Sequence, residues 1–233
     1  MKLVTKDIVD IHMRTDPIND WLDQLTDSND EAYVCQKWLR ESAAKRYIYE
    51  VIYGSLFDAG DKQRVLDIGG GLTGLTRYLA VNHEYFLADI LAHDNVEEVT
   101  RLANIAKRDF IFNKDWLNKK RERYDLVLAN DIFPNVDQRL EMFLNSFIPQ
   151  CSCIRMLLTW YDVPRYYMTK RLDGDEILCM LAWNGSQIRE VLLKFESRII
   201  NCDLSLFDTL TESVFENGRR ACIVEFQGDL DPL

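Results

Sequence analysis

Three glycines and an acid stand together after the first strongly apolar stretch of the chain, where Arg64–Ala80 has the letters RVLDIGGGLTGLTRYLA. Gly69, Gly71 and Gly74 have the G-x-G-x-x-G spacing of a dinucleotide-binding loop. Taken from Asp67, the same stretch is D-x-G-x-G, which indicates a loop for a different cofactor. Glycines let the backbone approach a ligand and the following helix presents free N–H groups in both cases, so glycine spacing alone does not decide.

The acid in front of the glycines separates the two hypotheses. We expect the Asp67 carboxylate to face the pocket, where it would repel a bound pyrophosphate at a cost of about 1 kcal/mol or more. S-adenosylmethionine carries no phosphate, and a nearby carboxylate would stabilise its sulfonium and amino groups. Asp89, which is 20 residues after Gly69 and ends a predicted strand, suits ribose hydroxyls in either hypothesis.

Short apolar runs alternate with amphipathic helical patterns from Arg64 onward, and these elements must position the loop. Such alternation predicts parallel βαβ units in an open sheet with helices on both faces. Ligands of such sheets bind beyond the carboxyl ends of the strands. The predicted strands are RVLDI, EYFLADI, DFIFN, YDLVLAND and CSCIRMLLTW. Their carboxyl ends are polar or aromatic: Asp67–Gly71, Asp89, Asn113–Trp116, Asn130–Pro134 and Trp160–Asp162.

The segments on either side of this alternation have other patterns. The first 60 residues are predicted to be helical, with Asp16 capping a helix that begins at Pro17. After the fifth strand we expect a hairpin that turns at Asp173–Gly174, and then two antiparallel strands, SRIINCDLSLF and RRACIVEFQ. The expected boundaries are 1–60 for an N-terminal helical cap and 61–233 for the cofactor-binding domain.

The resulting fold class is α/β: a Rossmann-like, seven-stranded, mostly parallel sheet with an antiparallel last strand. The late position of the glycine loop, behind some 60 helical residues, is unlike nicotinamide-binding domains, which usually open on the first strand. Five parallel strands followed by an antiparallel pair favour a seven-stranded methyltransferase sheet. Both features agree with the interpretation based on Asp67.

Composition and charge limit the classes of partner. A chain of 233 residues is long enough for one well-filled domain, and its formal net charge of −10 argues against nucleic acid, which binds basic surfaces. No apolar run approaches the roughly 20 residues of a membrane span and no signal-peptide core is seen, so a cytoplasmic location is expected. The six cysteines lack C-x-x-C and zinc spacing, and carboxylates for a metal are too few, so we expect no metal.

In this order, the motifs resemble those of the class I S-adenosylmethionine-dependent methyltransferases over roughly 58–226. The resemblance implies that the cofactor is S-adenosylmethionine and that residues of four motifs bind it. These are Asp67, Gly69, Gly71 and Gly74 around the methionine portion, Asp89 at the ribose, Asp115 and Trp116 at the adenine, and Asn130 beneath the methyl donor.

Two residues are candidates for catalysis. Asp131, at the end of the fourth predicted strand, is placed to take or orient the proton of an acceptor hydroxyl, although it could instead cap the next helix. His93 follows Asp89 closely enough to reach the site. Asn135 stands where many methyltransferases of small molecules have histidine, and asparagine cannot act as a general base.

The acceptor is expected to be a sugar, a glycan or another small molecule, methylated on a hydroxyl oxygen. Tyr161, Tyr166 and Tyr167 follow the fifth strand, where acceptors bind in this architecture, or else pack the hairpin. The hairpin sequence also loosely resembles methyltransferases encoded with surface-polysaccharide genes, which supports a sugar acceptor. Two alternatives remain open: a non-catalytic subunit that binds S-adenosylmethionine, and a nicotinamide-dependent oxidoreductase. The oligomeric state is left open.

Overall fold

A seven-stranded sheet forms the centre of the computed structural model, which describes residues 1–58, 60–91, 96–170, 177–209 and 212–231. The strands are β1 (Lys2–Leu3), β2 (Arg64–Ile68), β3 (Glu84–Ala88), β4 (Ile111–Phe112), β5 (Tyr124–Phe133), β6 (Cys151–Trp160), β7 (Arg165–Lys170), β8 (Ile177–Ala182) and β9 (Arg220–Gln227). The order across the central sheet is β1-β9-β6-β5-β2-β3-β4. Strands β2 to β6 pair in parallel, whereas β9 runs antiparallel to both β6 and β1. The predicted fold class is confirmed.

Helices cover both faces of this sheet. They are α1 (Lys6–His12), α2 (Pro17–Leu25), α3 (Val34–Glu41), α4 (Ala43–Tyr53), α5 (Ser55–Asp58), α6 (Gly74–Asn82), α7 (Val96–Ala106), α8 (Leu140–Phe147) and α9 (Gly185–Leu192). Helix α2 begins at Pro17 as predicted, because the Asp16 carboxylate accepts a hydrogen bond from the backbone N–H of Asn19. In the described ranges, no helix combines the length and apolar character needed to cross a membrane.

The first of the two predicted C-terminal strands is wrong. Residues 197–207 contain the end of one 3₁₀ helix (Leu193–Arg198) and a second one (Leu204–Phe207), and Ile199 makes only an isolated bridge to Phe226. The Asp203 carboxylate accepts the backbone N–H of Ser205, so a local turn replaces the ladder that the apolar residues suggested. The seventh strand is instead β1, at the N-terminal end of the described chain.

The predicted hairpin is present as β7 and β8, which form a separate two-stranded antiparallel sheet. Its predicted turn, Asp173–Gly174, lies outside the described residues. Register pairs Arg165 with Ala182 and Tyr167 with Met180 on one face of this hairpin. The hairpin directly follows the carboxyl end of β6 and therefore stands at the edge of the sheet where a ligand is expected.

Successive residues of β2 point to opposite faces of the sheet and pack into two separate hydrophobic clusters. Val65 packs with the cluster that includes Ile18, Leu22 and Ile52 of the N-terminal helices, whereas Leu66 packs with the cluster around α8 and α9. The N-terminal helices therefore share a core with one face of the sheet. The division into 1–60 and 61–233 stays a prediction.

Candidate functional site

A cavity of about 870 Å³ lies at the carboxyl ends of the parallel strands. This volume is near the upper end of the range of about 300–1,000 Å³ that is usual for small-molecule sites. Every predicted strand end contributes to its wall, because parallel strands bring their carboxyl ends to the same edge of a sheet. The contributing segments are Gly69–Gly71, Asp89, Lys114–Trp116, Asn130–Ile132 and Tyr161.

The glycine loop between β2 and α6 forms one side of this cavity. Gly69 and Gly71 have φ values of +67° and +70°, which side chains other than glycine rarely adopt. A Cβ atom on Gly69 would overlap the side chain of Ile132, and one on Gly71 would overlap the Cys35 sulfur. The loop therefore depends on glycine twice, for its conformation and for its close packing.

The third glycine of the motif has a different place. Gly74 opens α6, and a Cβ there would overlap Thr26 and Asp30 of the N-terminal segment. Its N–H donates to the Gln36 side-chain oxygen at 2.8 Å, and Gly74 is not among the residues that line the cavity. The close approach of the N-terminal segment, rather than a direct ligand contact, explains the glycine at this position.

The Asp67 carboxylate lies beneath the loop and does not line the cavity. It is only 1% exposed, and a Cβ on Gly70 would overlap it. The Tyr85 hydroxyl donates to Oδ2 at 2.6 Å, whereas the buried Oδ1 has no hydrogen-bond partner. Burial raises the pKa of Asp67 to about 7, against the lowering effect of the Tyr85 hydrogen bond. The expectation that this side chain faces the pocket is corrected, because Gly70 stands over it.

Asp89 lies on the cavity wall and holds the loop. Its Oδ2 accepts the N–H of Gly71 at 3.1 Å, and its Oδ1 accepts the N–H of Leu91 at 2.7 Å. The acid at the end of β3 is thereby fixed beside the glycines that precede α6. The other candidate on this segment, His93, lies outside the described residues.

Asp115 and Trp116 lie on the far wall, where Arg139 organises them. Arg139 Nη2 donates to Asp115 Oδ2 at 2.7 Å and to Asp137 Oδ2 at 2.6 Å, and the first of these bonds lowers the pKa of Asp115. The Trp116 indole donates to Asp137 at 2.8 Å and packs edge-on against Phe133 and Phe143. Trp116 is thus largely a core residue with one edge at the cavity.

Asn130 and Asp131 come from an irregular end of β5. Asp131 has φ of +62°, and the register of β5 against β6 shifts between Ala129 and Phe133. Arg219 donates to both Asp131 carboxylate oxygens, at 2.7 and 2.9 Å, and Asn135 Nδ2 donates to Oδ1 at 3.2 Å. Asp131 is therefore placed at the cavity, as predicted, but as half of a two-pronged ion pair.

Sequence reasoning missed the part of the wall that the N-terminal helices supply. Cys35, Trp38, Lys45 and Tyr49 of α3 and α4 line the cavity. The Lys45 ammonium lies 4.3 Å from the centre of the Trp38 ring, and burial lowers its pKa, against the raising effect of Asp131. The sequence predicted a helical cap but carried no signal for which of its residues would reach the loop.

Sequence reasoning also missed Arg165, at the start of the β7–β8 hairpin. Arg165 lies 3.9 Å from the centre of the Tyr161 ring and 5.3 Å from that of Tyr167, and all three line the cavity. The two tyrosines were predicted near the acceptor. Tyr166, predicted with them, is 66% exposed on the other face of the hairpin, because alternate strand residues point to opposite sides.

Two solved structures of similar architecture are of methyltransferases. One is magnesium protoporphyrin IX methyltransferase from Synechocystis PCC 6803 with bound S-adenosylmethionine, 15% identical at a TM-score of 0.50, with 96% of this chain and 97% of that chain covered. The chain has the class I methyltransferase fold. A second is the Burkholderia thailandensis 1,6-didemethyltoxoflavin-N1-methyltransferase with bound 1,6-didemethyltoxoflavin and S-adenosylhomocysteine. It is 13% identical at a TM-score of 0.51, with 93% of this chain and 89% of that chain covered. No protein-family model and no curated protein matches the sequence.

The similarity to these structures supports the predicted fold, while the roles of the site residues stay predictions. At such identities the likeness concerns the fold and not the acceptor. Within the described part of the chain, no group of three or more histidine, cysteine or acidic side chains is arranged to hold a metal ion.

Proposed function

We propose that this protein is an S-adenosylmethionine-dependent methyltransferase that methylates a hydroxyl oxygen of a sugar, a glycan or another small molecule. The observation that carries the proposal is the loop at the end of β2. There, a glycine cradle with positive φ covers a buried carboxylate and is tied to a second acid, Asp89, inside a methyltransferase fold.

The residues present fit this cofactor. The Asp67 oxygen Oδ1 is buried without a hydrogen-bond partner, and a cation bound over the loop would stabilise the ionised form of that carboxylate. Asp89 would take the ribose hydroxyls, Asp115 and Trp116 the adenine, and Asn130 would lie beneath the methyl donor. Lys45, whose charge interacts with the Cys35 thiol beside Gly71, would take the carboxylate of the methionine portion.

A nicotinamide dinucleotide suits the loop less well. A pyrophosphate normally binds the free N–H groups at the start of the helix. Here the N–H of Gly74 donates to Gln36 and that of Thr76 donates to the Thr73 hydroxyl, so two of these donors already have partners. In its ionised form, the buried Asp67 carboxylate would also repel the pyrophosphate from below.

The chain contributes mainly orientation to the reaction. The cofactor, when bound, supplies a methyl group on a positively charged sulfur. An in-line displacement gains most of its acceleration from holding the acceptor oxygen in position, and the cavity walls provide that restraint. Arg219 donates to both carboxylate oxygens of Asp131, so Asp131 would accept a further hydrogen bond from the acceptor hydroxyl and orient it rather than remove its proton.

Titration calorimetry of the intact protein with S-adenosylhomocysteine and, separately, with NADH tests the proposal. We expect S-adenosylhomocysteine to bind with one site per chain and NADH to give no saturable heat. Saturable binding of NADH alone would overturn the proposal and favour the oxidoreductase.

One observation favours a second candidate, a subunit that binds the cofactor without catalysis. Both oxygens of Asp131 are engaged by Arg219, and Asn135 next to it cannot remove a proton. Incubation with methyl-labelled S-adenosylmethionine and a panel of sugars, sugar phosphates and hydroxy acids separates the two. Label in any acceptor supports the enzyme; cofactor binding without label in any acceptor favours the subunit.

A further inference from the structure

The half of the cavity away from the glycine loop contains positive charge that the proposed cofactor does not use. Arg165 begins the β7–β8 hairpin, and Arg219 directly precedes β9. Both line the cavity wall, and both lie against aromatic rings: Arg165 on Tyr161, and Arg219 at 4.7 Å from the centre of the Phe215 ring. Rings hold a guanidinium in place without neutralising it.

The two arginines line the same cavity as Tyr167. Burial raises the pKa of Tyr167 to about 12, against the lowering effect of the Arg219 and Arg165 charges, and its ring packs edge-on against that of Tyr161 at 6.3 Å between centres. Arg165 lies 5.3 Å from the centre of the Tyr167 ring, and Arg219 lines the same cavity. The wall here combines two arginines with two tyrosine rings.

Only one of these charges has an acidic partner among the described residues. Arg219 is paired with Asp131, whereas Arg165 makes no ion pair there. The Arg219 side chain is 9% exposed, and its Nε–H is buried without a hydrogen-bond partner. A buried donor left without a partner costs about 1–3 kcal/mol, so a ligand that satisfies it gains correspondingly.

The charge at this wall contrasts with the rest of the molecule. The chain has a formal net charge of −10, and in the loop half of the cavity Arg139 is paired with two acids, Asp115 and Asp137. A neutral acceptor has no need of an unpaired arginine in such a setting. Guanidinium groups match the planar oxygen pair of a carboxylate and the oxygens of a phosphate.

We propose that the acceptor carries an anionic group, a carboxylate or a phosphate, that binds Arg165 with the Nε–H of Arg219 as a second donor. This inference rests on the proposed function, since it names the class of molecule that receives the methyl group. The tyrosine rings beside Arg165 add a flat apolar surface, so the body of the acceptor lies against Tyr161 and Tyr167.

Three flat probes of similar shape test the inference: benzoate, phenyl phosphate and the neutral benzamide. Each is titrated calorimetrically into the protein saturated with S-adenosylhomocysteine at constant ionic strength. We expect at least one anion to bind at least tenfold more tightly than benzamide, about the factor that one charge-assisted hydrogen bond provides. The ratio between benzoate and phenyl phosphate distinguishes the carboxylate from the phosphate source.

Variants at Arg165 locate the binding. Arg165→Gln should reduce the preference for anions to less than twofold, whereas Arg165→Lys should keep most of it. The matched control is Arg189→Gln, which removes an exposed arginine of α9 whose ion-pair partner, Asp208, lies at 3.9 Å. Arg165 is preferred to Arg219 for the test because it is exposed, whereas the loss of Arg219 would leave Asp131 without its ion-pair partner.

Each outcome is decisive. Equal affinity for the anions and benzamide, no binding of either anion, or an unchanged preference in Arg165→Gln overturns the inference. If S-adenosylhomocysteine itself does not bind, the proposed function fails, and the same titrations without it still show whether Arg165 binds anions.

Discussion

The two halves of the cavity are built differently. The loop half consists mainly of short segments that follow consecutive strands, with residues of α3 and α4 against the loop. Most of its acids are hydrogen-bonded to neighbouring backbone N–H groups or to nearby side chains, as Asp89 is to Gly71. The acceptor half brings together residues that are far apart in the chain: Asp131 meets Arg219 across 88 positions. Among the described residues, the second half contains Arg165 without an ion pair and the Arg219 Nε–H without a hydrogen-bond partner. We propose that this difference reflects a cofactor site in the first half and an acceptor site in the second.

The largest effect should come from the carboxylate under the loop. Asp67 has its pKa raised to about 7, so the folded state favours the protonated acid and loses stability as pH rises from about 4 to about 7. Asp67→Asn removes this loss, and its free energy of unfolding relative to the parent should rise by on the order of 4 kcal/mol over that interval and stay constant above it. Denaturant unfolding at several pH values measures this. A pH-independent difference would mean that the carboxylate is not buried as described.

Replacing a glycine of the cradle should abolish most cofactor binding. Gly71→Val forces a β-branched residue to φ of +70° and against the Cys35 sulfur. We expect the Kd for S-adenosylhomocysteine to rise about 100-fold, equivalent to about 2.7 kcal/mol. Gly60→Ala is the control, because a Cβ there meets nothing within 4 Å. Calorimetry with both variants, after circular dichroism confirms folding, makes the comparison; similar affinities in the two would remove the loop from the cofactor site.

Removing the acid on the loop wall should have a smaller effect. Asp89→Ala loses the proposed contact with the ribose and the bond to the Gly71 N–H, and its Kd for S-adenosylhomocysteine should rise at least tenfold, or about 1.4 kcal/mol. Asp208→Ala, an exposed acid outside the cavity, serves as the control. An unchanged Kd in Asp89→Ala would end that assignment.

The smallest effects should separate the two halves. Lys45→Gln should raise the Kd for S-adenosylhomocysteine about threefold in low salt, since a partly exposed charge pair contributes about 0.2–1 kcal/mol. Arg165→Gln should leave that Kd within twofold, because it belongs to the acceptor half. The same calorimetric titration checks both. A large loss in Arg165→Gln would mean that the two halves are not separate.

Much of the fold followed from local pattern. The buried strand before the glycines, the Asp16 cap of α2 and the antiparallel β9 are all as predicted, because each depends on neighbouring residues. The strand predicted over 197–207 was wrong. Its apolar residues fit either a strand or turns packed on the core, and the hydrogen bond from the Ser205 N–H to the Asp203 carboxylate stabilises a turn. The two-residue β1 was missed because so short a strand has no periodicity of its own.

The candidate site was likewise predictable in part. The segments after β2, β3, β4 and β5 were predicted to meet because parallel strands share one edge. The sequence could not show that Gly74 packs against Gln36 and the N-terminal segment, or that Gly70 covers Asp67, because those distances depend on packing. The roles of these residues toward a ligand stay predictions.

The sequence by itself determined the alternating strands and helices, the glycine loop with its leading acid, and hence the class I methyltransferase architecture, since all are set by residues near one another. Only the tertiary structure decided that Arg219 pairs with Asp131 and that Arg165 lies on the Tyr161 ring with no acidic partner among the described residues. Those contacts arise where the hairpin and the segment before β9 fold back over the sheet. Local pattern cannot specify which distant side chains then share a wall, and that wall carries the charge proposed to select the acceptor.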